Sequence, residues 1–265
     1  MVRLVKATTT IQTQKNVSEY LDSDSSDLNI RSTDISTIIW SHHHFDHIGN
    51  PSTFPTSTTL VVGPGFRTHH QPAYPTNPFS PILDSDTANR PVHELIFQTG
   101  LSIGGFPAVD YFQDGSFYLL DAPGHADGHL CALARVTSAP DSFVFLGADA
   151  CHHPGLLRPS PYLTLPRTVH GYSGAALQAL HPRNSAREPF FTPSEQAFPA
   201  QAQARETIRK IMDMDAQDHV FVVLTHDASL EGEMAFFPET INSWMEKGVK
   251  ERTRWLFCRD LEAAL

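Results

Sequence analysis

A mixed α/β fold is predicted by three features of the chain. Short β-branched and aromatic runs at 37–40, 59–62 and 220–224 read as strands. Apolar residues spaced i, i+3, i+4 at Val17, Tyr20 and Leu21, and at Ala204, Ile208, Ile211 and Met212, read as helices. Four strands deliver histidine or aspartate at their C-terminal ends, and polar groups gathered there lie on one rim of a sheet, the usual place for a site in α/β proteins. A chain of 265 residues buries a sizeable core, and a single domain over 1–265 is expected.

The elements follow in order. Asn16 caps the first short helix, and 22–26 breaks it. The run Thr37-Ile38-Ile39-Trp40 is read as a buried strand that stops abruptly at a histidine cluster, and 59–62 as a second strand closed by Gly63-Pro64-Gly65. Residues 68–90, rich in Pro, Asn, Ser and Asp, are expected to form a long irregular loop of the kind that is often functional. Strands are expected at 117–121 and 130–136, joined by a glycine-bearing turn, and at 143–146, running into Gly147-Ala148-Asp149. The proline-rich stretch 153–199 lacks periodicity and reads as an irregular cap or lid. The helix around Ile208 leads to strand 220–224, ending at Thr225-His226-Asp227. A last helix is expected over 238–247 with Ile241, Trp244 and Met245 inward, stopped by Gly248.

Composition narrows the function. A formal charge of −10 argues against nucleic acid, whose binding draws on clustered Lys and Arg, and leaves small molecules as the expected partners. No apolar run approaches the roughly 20 residues of a membrane span. The threonine-rich segment 1–14 lacks the pattern of a secretory signal, so a cytoplasmic protein is expected. Three cysteines without a CxxC pair fit a reducing compartment with no disulfide framework. The 15 histidines are the outlier, and their placement matters more than their number.

In Ser41-His42-His43-His44-Phe45-Asp46-His47, the residues His42 and His44 can point the same way and grip one ion, while Asp46 and His47 turn toward a second place. Neutral imidazole and carboxylate suit zinc, and also iron or manganese. A fortuitous polar turn is the competing reading, disfavoured by the apolar strand leading in and by Gly49 behind. This segment resembles the HxHxDH signature of the metallo-β-lactamase superfamily, and its flanks look like the acyl-homoserine lactone lactonase-like branch. Pro123-Gly124-His125-Ala126-Asp127-Gly128-His129 is similar to a second superfamily element. Asp149 matches the bridging aspartate, and His226 the last ligand.

The resemblance, covering 37–227, implies an αββα sandwich with two divalent ions at the sheet edge. His42, His44 and His125 would hold one ion, Asp46, His47 and His226 the other, and Asp149 would bridge them. His129 is read as a supporting or core residue, and His152 and His153 as supporting or surface residues. Two cations about 3.5 to 4 Å apart lower the pKa of a bridging water from about 15.7 toward about 7, giving hydroxide as nucleophile. Asp46 is the expected catalytic residue, shuttling a proton to the leaving group. The lactonase branch adds a tyrosine that polarises the carbonyl, for which Tyr162 and Tyr172 are weighed without a motif for either. Superfamily members place several strands before HxHxDH, whereas 41 residues precede His42, so part of the N-terminal sheet is expected to be lacking. The leading function is a hydrolase opening a lactone or related cyclic ester or amide. Its competitors are a thioesterase or lactam hydrolase of the same superfamily and a truncated, non-catalytic metal-binding homologue.

Overall fold

The β-branched run at Thr37 does form a strand, and it anchors the first of two compact units, Met1–Ile96 and Phe97–Leu265. The computed structural model describes residues 13–23, 30–98 and 100–264; the N-terminal residues 1–12 and the end of the break after Asp22 lie outside them. The α/β class predicted from the sequence is the class observed.

In the first unit, helix α1 (Val17–Leu21) opens at Asn16, but the cap works in reverse. The Glu19 carboxylate accepts the Asn16 backbone N–H at 2.6 Å and its side-chain N–H at 2.9 Å. Five residues are too few for a full apolar stripe: Leu21 is buried, whereas Val17, expected inward, is 64% exposed. Strands β1 (Thr37–Ile39), β2 (Thr59–Val62) and β3 (Val92–Glu94) form a parallel sheet in that order. Trp40 lies just past β1, yet its N–H still donates to Val61 O at 3.0 Å. Its indole packs edge-on to Phe66 over Leu60, Val62, Ala73 and Ile82. The expected irregular loop is more ordered than its composition suggested. It begins within α2 (Phe66–His70), carries α3 (Asp84–Thr87), and closes through the Tyr74 N–H to Ile82 O bond at 3.0 Å.

The second unit holds β4 (Ser102–Ile103), β5 (Phe106–Asp110), β6 (Phe117–Asp121), β7 (Leu130–Ser138), β8 (Asp141–Leu146) and, after a hairpin of β9 (Thr168–Val169) and β10 (Tyr172–Ser173), β11 (Val220–Val223). The sheet order is β11-β8-β7-β6-β5-β4, antiparallel except where β11 joins β8. Strand period decides the packing: Val220, Val222 and Leu224 enter one core with Phe145, while Phe221 joins Val144 and Trp244 in another. The 153–199 segment contains helix α4 (Gly174–Leu180), which its lack of periodicity did not announce.

Helix α5 (Gln201–Ala216) covers the first of those cores with Ala204, Ile208, Ile211 and Met214; Met212, expected inward, is half-buried against the same cluster. Each fully buried large aliphatic side chain contributes about 1.5–3 kcal/mol relative to exposure. The expected helix over 238–247 is absent, and those residues form turns. Trp244 is buried, but Met245 is exposed. Gly248, at φ +59°, ends no helix and instead precedes α6 (Val249–Thr253). The i, i+3, i+4 spacing there reflects two side chains reaching a core from a turn.

Candidate metal centre

The Trp40 indole N–H donates to Ile48 O at 2.9 Å, folding the histidine segment back against the end of β1. A turn closed by the His47 N–H to His44 O bond (3.0 Å) then sets the positions of these side chains. Within it His42 Nε2 and His44 Nδ1 lie 3.0 Å apart, and His47 Nε2 lies 3.6 Å from Asp46 Oδ2. The Ser41 hydroxyl bridges the other ring nitrogens of His42 (3.2 Å) and His47 (3.3 Å). His42 is buried and Asp46 exposed, so the carboxylate is the most accessible of these groups. His43 turns elsewhere, its ring 4.0 Å from that of His70.

In the second unit, the 122–129 connection is tied down at both ends. Ala122 N–H donates to His129 O, and Thr207 of α5 donates to Pro123 O at 2.8 Å. His125 offers Nδ1 to Ala197 O at 2.8 Å, which leaves Nε2 facing Asp149 Oδ2 at 3.5 Å. Metal sites in general orient an imidazole by a hydrogen bond from one ring nitrogen to a carbonyl. Asp149 follows Ala148, whose φ of +42° marks a tight turn after β8. Thr225 N–H reaches Ala148 O at 3.3 Å and so brings the end of β11 alongside, with His226 Nε2 3.2 Å from Asp149 Oδ2.

Ligands held by bonds of about 2.1 Å in a tetrahedron stand about 3.4 Å apart. The 3.0 to 3.6 Å spacings within each unit fit a divalent cation, as does the nitrogen and carboxylate donor set. Cysteine plays no part: all three are free and buried, and burial pushes the Cys151 thiol up to about 12, where it carries no thiolate at neutral pH.

His152, read from the sequence as a supporting or surface residue, has its Nε2 3.2 Å from Asp149 Oδ2 as well. The available signal was its i+3 spacing from Asp149 in a turn after a strand. Of the two tyrosines weighed as carbonyl-polarising groups, Tyr162 is exposed and Tyr172 lies in β10, packed against the cluster of Val169, Leu177 and Trp255. His153 pairs with Asp260 at 3.0 Å.

No family model matches the chain. Metallo-hydrolase mfmC of Annulohypoxylon moriforme is 52% identical over 274 residues, covering 100% of this chain and 72% of that protein. Cytochrome P450 monooxygenase mpaDE of Penicillium roqueforti is also 52% identical, over 269 residues; the chain spans 30% of its length. A gamma-lactamase of Gibberella moniliformis is 41% identical over 215 residues, covering 76% of this chain and 88% of that one. A solved N-acyl homoserine lactone hydrolase with product bound aligns at TM-score 0.48 and 15% identity, over 80% of this chain and 63% of that one. The chain belongs to the metallo-β-lactamase superfamily of metallo-hydrolases.

Proposed function

We propose that this chain is a dinuclear metal-dependent hydrolase that opens a lactone or a related cyclic ester or amide. The observation that carries the reading is the convergence of His125 and His226 on Asp149, with His125 oriented by the Ala197 carbonyl. By the superfamily pattern, His42, His44 and His125 would hold one ion and Asp46, His47 and His226 the other, with Asp149 serving both. Zinc suits this donor set, and iron or manganese are also accepted by it.

Bound there, the two cations supply Lewis acidity and a water acidic enough to ionise near neutral pH. The chain's own residues do the rest. The Ser41 hydroxyl and Ala197 carbonyl hold the imidazoles in register. Asp46, the accessible carboxylate, accepts the proton of the attacking water and passes it to the leaving oxygen or nitrogen. Beside Asp46 and His47 lies a cavity of about 390 Å³ walled by Leu21, Ile38, Trp40 and Phe54, suited to the apolar part of a small substrate.

The relatives named gamma-lactamase favour a second substrate within the same chemistry, a five-membered cyclic amide. Purified, zinc-loaded protein assayed on γ-nonalactone, dihydrocoumarin, a γ-lactam and an acyl thioester separates the choices. Chelator-sensitive ring opening supports the reading. Thioester cleavage alone replaces it with a thioesterase, and a fully metallated chain that cleaves none of them contradicts it.

A further inference from the structure

The loop that follows His47, residues 48–58, forms much of the wall of the cavity beside Asp46 and His47, with Ile48, Asn50, Pro51 and Phe54 all lining it. Little in the loop holds its own shape. Gly49 lies in the left-handed region at φ +56°, with nothing within 4 Å of where a Cβ would stand, and Pro51–Thr53 form a single short helical turn. Within the loop, Phe54 N–H donates to Pro51 O and Thr58 N–H to Pro55 O, each at 3.0 Å. From outside, the Ser18 hydroxyl donates to Thr53 Oγ1 at 2.7 Å.

A buried cation gathers the rest. Arg90 is 8% exposed and sits just ahead of β3, where the Leu60 N–H donates to Pro91 O at 2.9 Å. Its Nη2 donates to Pro51 O at 2.6 Å and to Phe54 O at 3.4 Å, and its Nη1 donates to Thr58 O at 3.1 Å. Three carbonyls of one loop thus converge on one guanidinium, whose planar fork of donors suits several fixed acceptors where the compact ammonium of a lysine does not. Burying a charge is costly unless it is well bonded, and here the bonds go to the cavity wall. The carboxylate of Asp86, buried in α3 and within reach of the Arg90 charge, accepts the Leu83 N–H at 2.8 Å.

We infer that Arg90 is a positioning residue for substrate selection, which holds Pro51 and Phe54 as a fixed wall against an apolar chain carried by the lactone or lactam ring. The inference rests on the hydrolase reading above. Arg90 touches neither substrate nor metal ligand and takes part in no bond change; it acts through Phe54. A loose wall would have to be ordered each time a substituent entered, at a cost in affinity, whereas a wall already ordered by three hydrogen bonds does not. The site therefore favours rings bearing an alkyl chain over the bare ring, and that preference depends on a guanidinium outside the cavity lining.

The test compares zinc-loaded wild type, Arg90→Lys, Phe54→Ala and the double variant on γ-nonalactone, which carries a pentyl chain, and on γ-butyrolactone, which carries none. Expected for Arg90→Lys are wild-type zinc content, wild-type kinetics on γ-butyrolactone, and a KM for γ-nonalactone raised about 10-fold with kcat little changed, the scale of one methylene's fit in an apolar pocket. Phe54→Ala is expected to do the same, and Arg90→Lys added to it to change little more, because a residue that acts through another loses its effect once that one is gone. 2-Pentylcyclopentanone, a ketone that cannot be hydrolysed, gives the same comparison as a dissociation constant by calorimetry, without turnover. Arg90→Gln, which keeps a donor but no charge, takes the place of the lysine variant if that one does not fold. An unmoved preference between the two lactones overturns the inference, as do equal losses on both, which make Arg90 structural only, and losses that add in the double variant. A wild type that opens no ring overturns the hydrolase reading instead, and the ketone measurement tells the two failures apart.

Discussion

His129 accepts the backbone N–H of Asp149 through Nε2 at 3.1 Å, so a fully buried histidine outside the ligand pattern fixes the residue on which the second unit's imidazoles converge. Acceptance at Nε2 places the ring proton on Nδ1. His129→Leu removes the acceptor and strands a buried N–H, which costs about 1–3 kcal/mol. A lower urea midpoint with unchanged slope is expected, and an unmoved midpoint would show that the bond contributes nothing.

Trp40 plays the equivalent part in the first unit, holding the histidine segment through Ile48 O. Trp40→Phe keeps an aromatic ring against Phe66 and removes only the N–H. A loss of about 1 kcal/mol is expected. Weaker zinc retention should accompany it in a competition titration with a chromogenic chelator; retention equal to wild type would separate the tie from the ligands.

Gly124 sits at φ +132°, and a Cβ there would stand 2.4 Å from the backbone N of Ala204 in α5. Gly124→Ala therefore combines backbone strain with overpacking, together about 2–4 kcal/mol. The same displacement moves His125, so the melting temperature and the zinc content should fall together. An alanine variant melting with the wild type would refute the close approach.

How far the sequence announced all this depended on the kind of signal. Strands β2, β6 and β11 were legible because β-branched and aromatic runs have few other uses, and the donor-rich segment at 42–47 stood out because so many donors so close together are rarely accidental. Strand β5 was not, since Pro107 reads as a breaker, and neither was α4, whose Gly-Ala-Ala start shows no stripe. The misread 238–247 segment shows that Ile241 and Trp244 at helical spacing establish burial without establishing a helix. His152 and His129, read from the sequence as supporting, core or surface residues, could not be tied to Asp149 there because that depends on where Asp149 falls in three dimensions.

Charge burial predicts a pH effect. Burial alone would raise the Asp215 carboxyl, but the Arg158 guanidinium, bidentate at 2.8 and 2.6 Å, outweighs it and holds the carboxyl below its ordinary value of 3.8. A depressed folded-state value means stability that is fully present above 3.8 and lost as pH falls through the folded value. Asp215→Asn leaves Arg158 buried without its counter-charge and should cost about 3–5 kcal/mol at pH 7. The gap from wild type should narrow in denaturant titrations below pH 3.8, and a gap constant with pH would contradict the assignment.

The claim on which the function stands is that the chain's histidines and aspartates hold metal. Elemental analysis of purified protein reconstituted with zinc, beside Asp149→Ala and His42→Ala, measures this directly. About two equivalents per chain are expected for the wild type, the number that a shared water between two cations requires. Fewer are expected in each variant, with the far-ultraviolet spectrum unchanged. A folded wild-type chain that retains no zinc would contradict it.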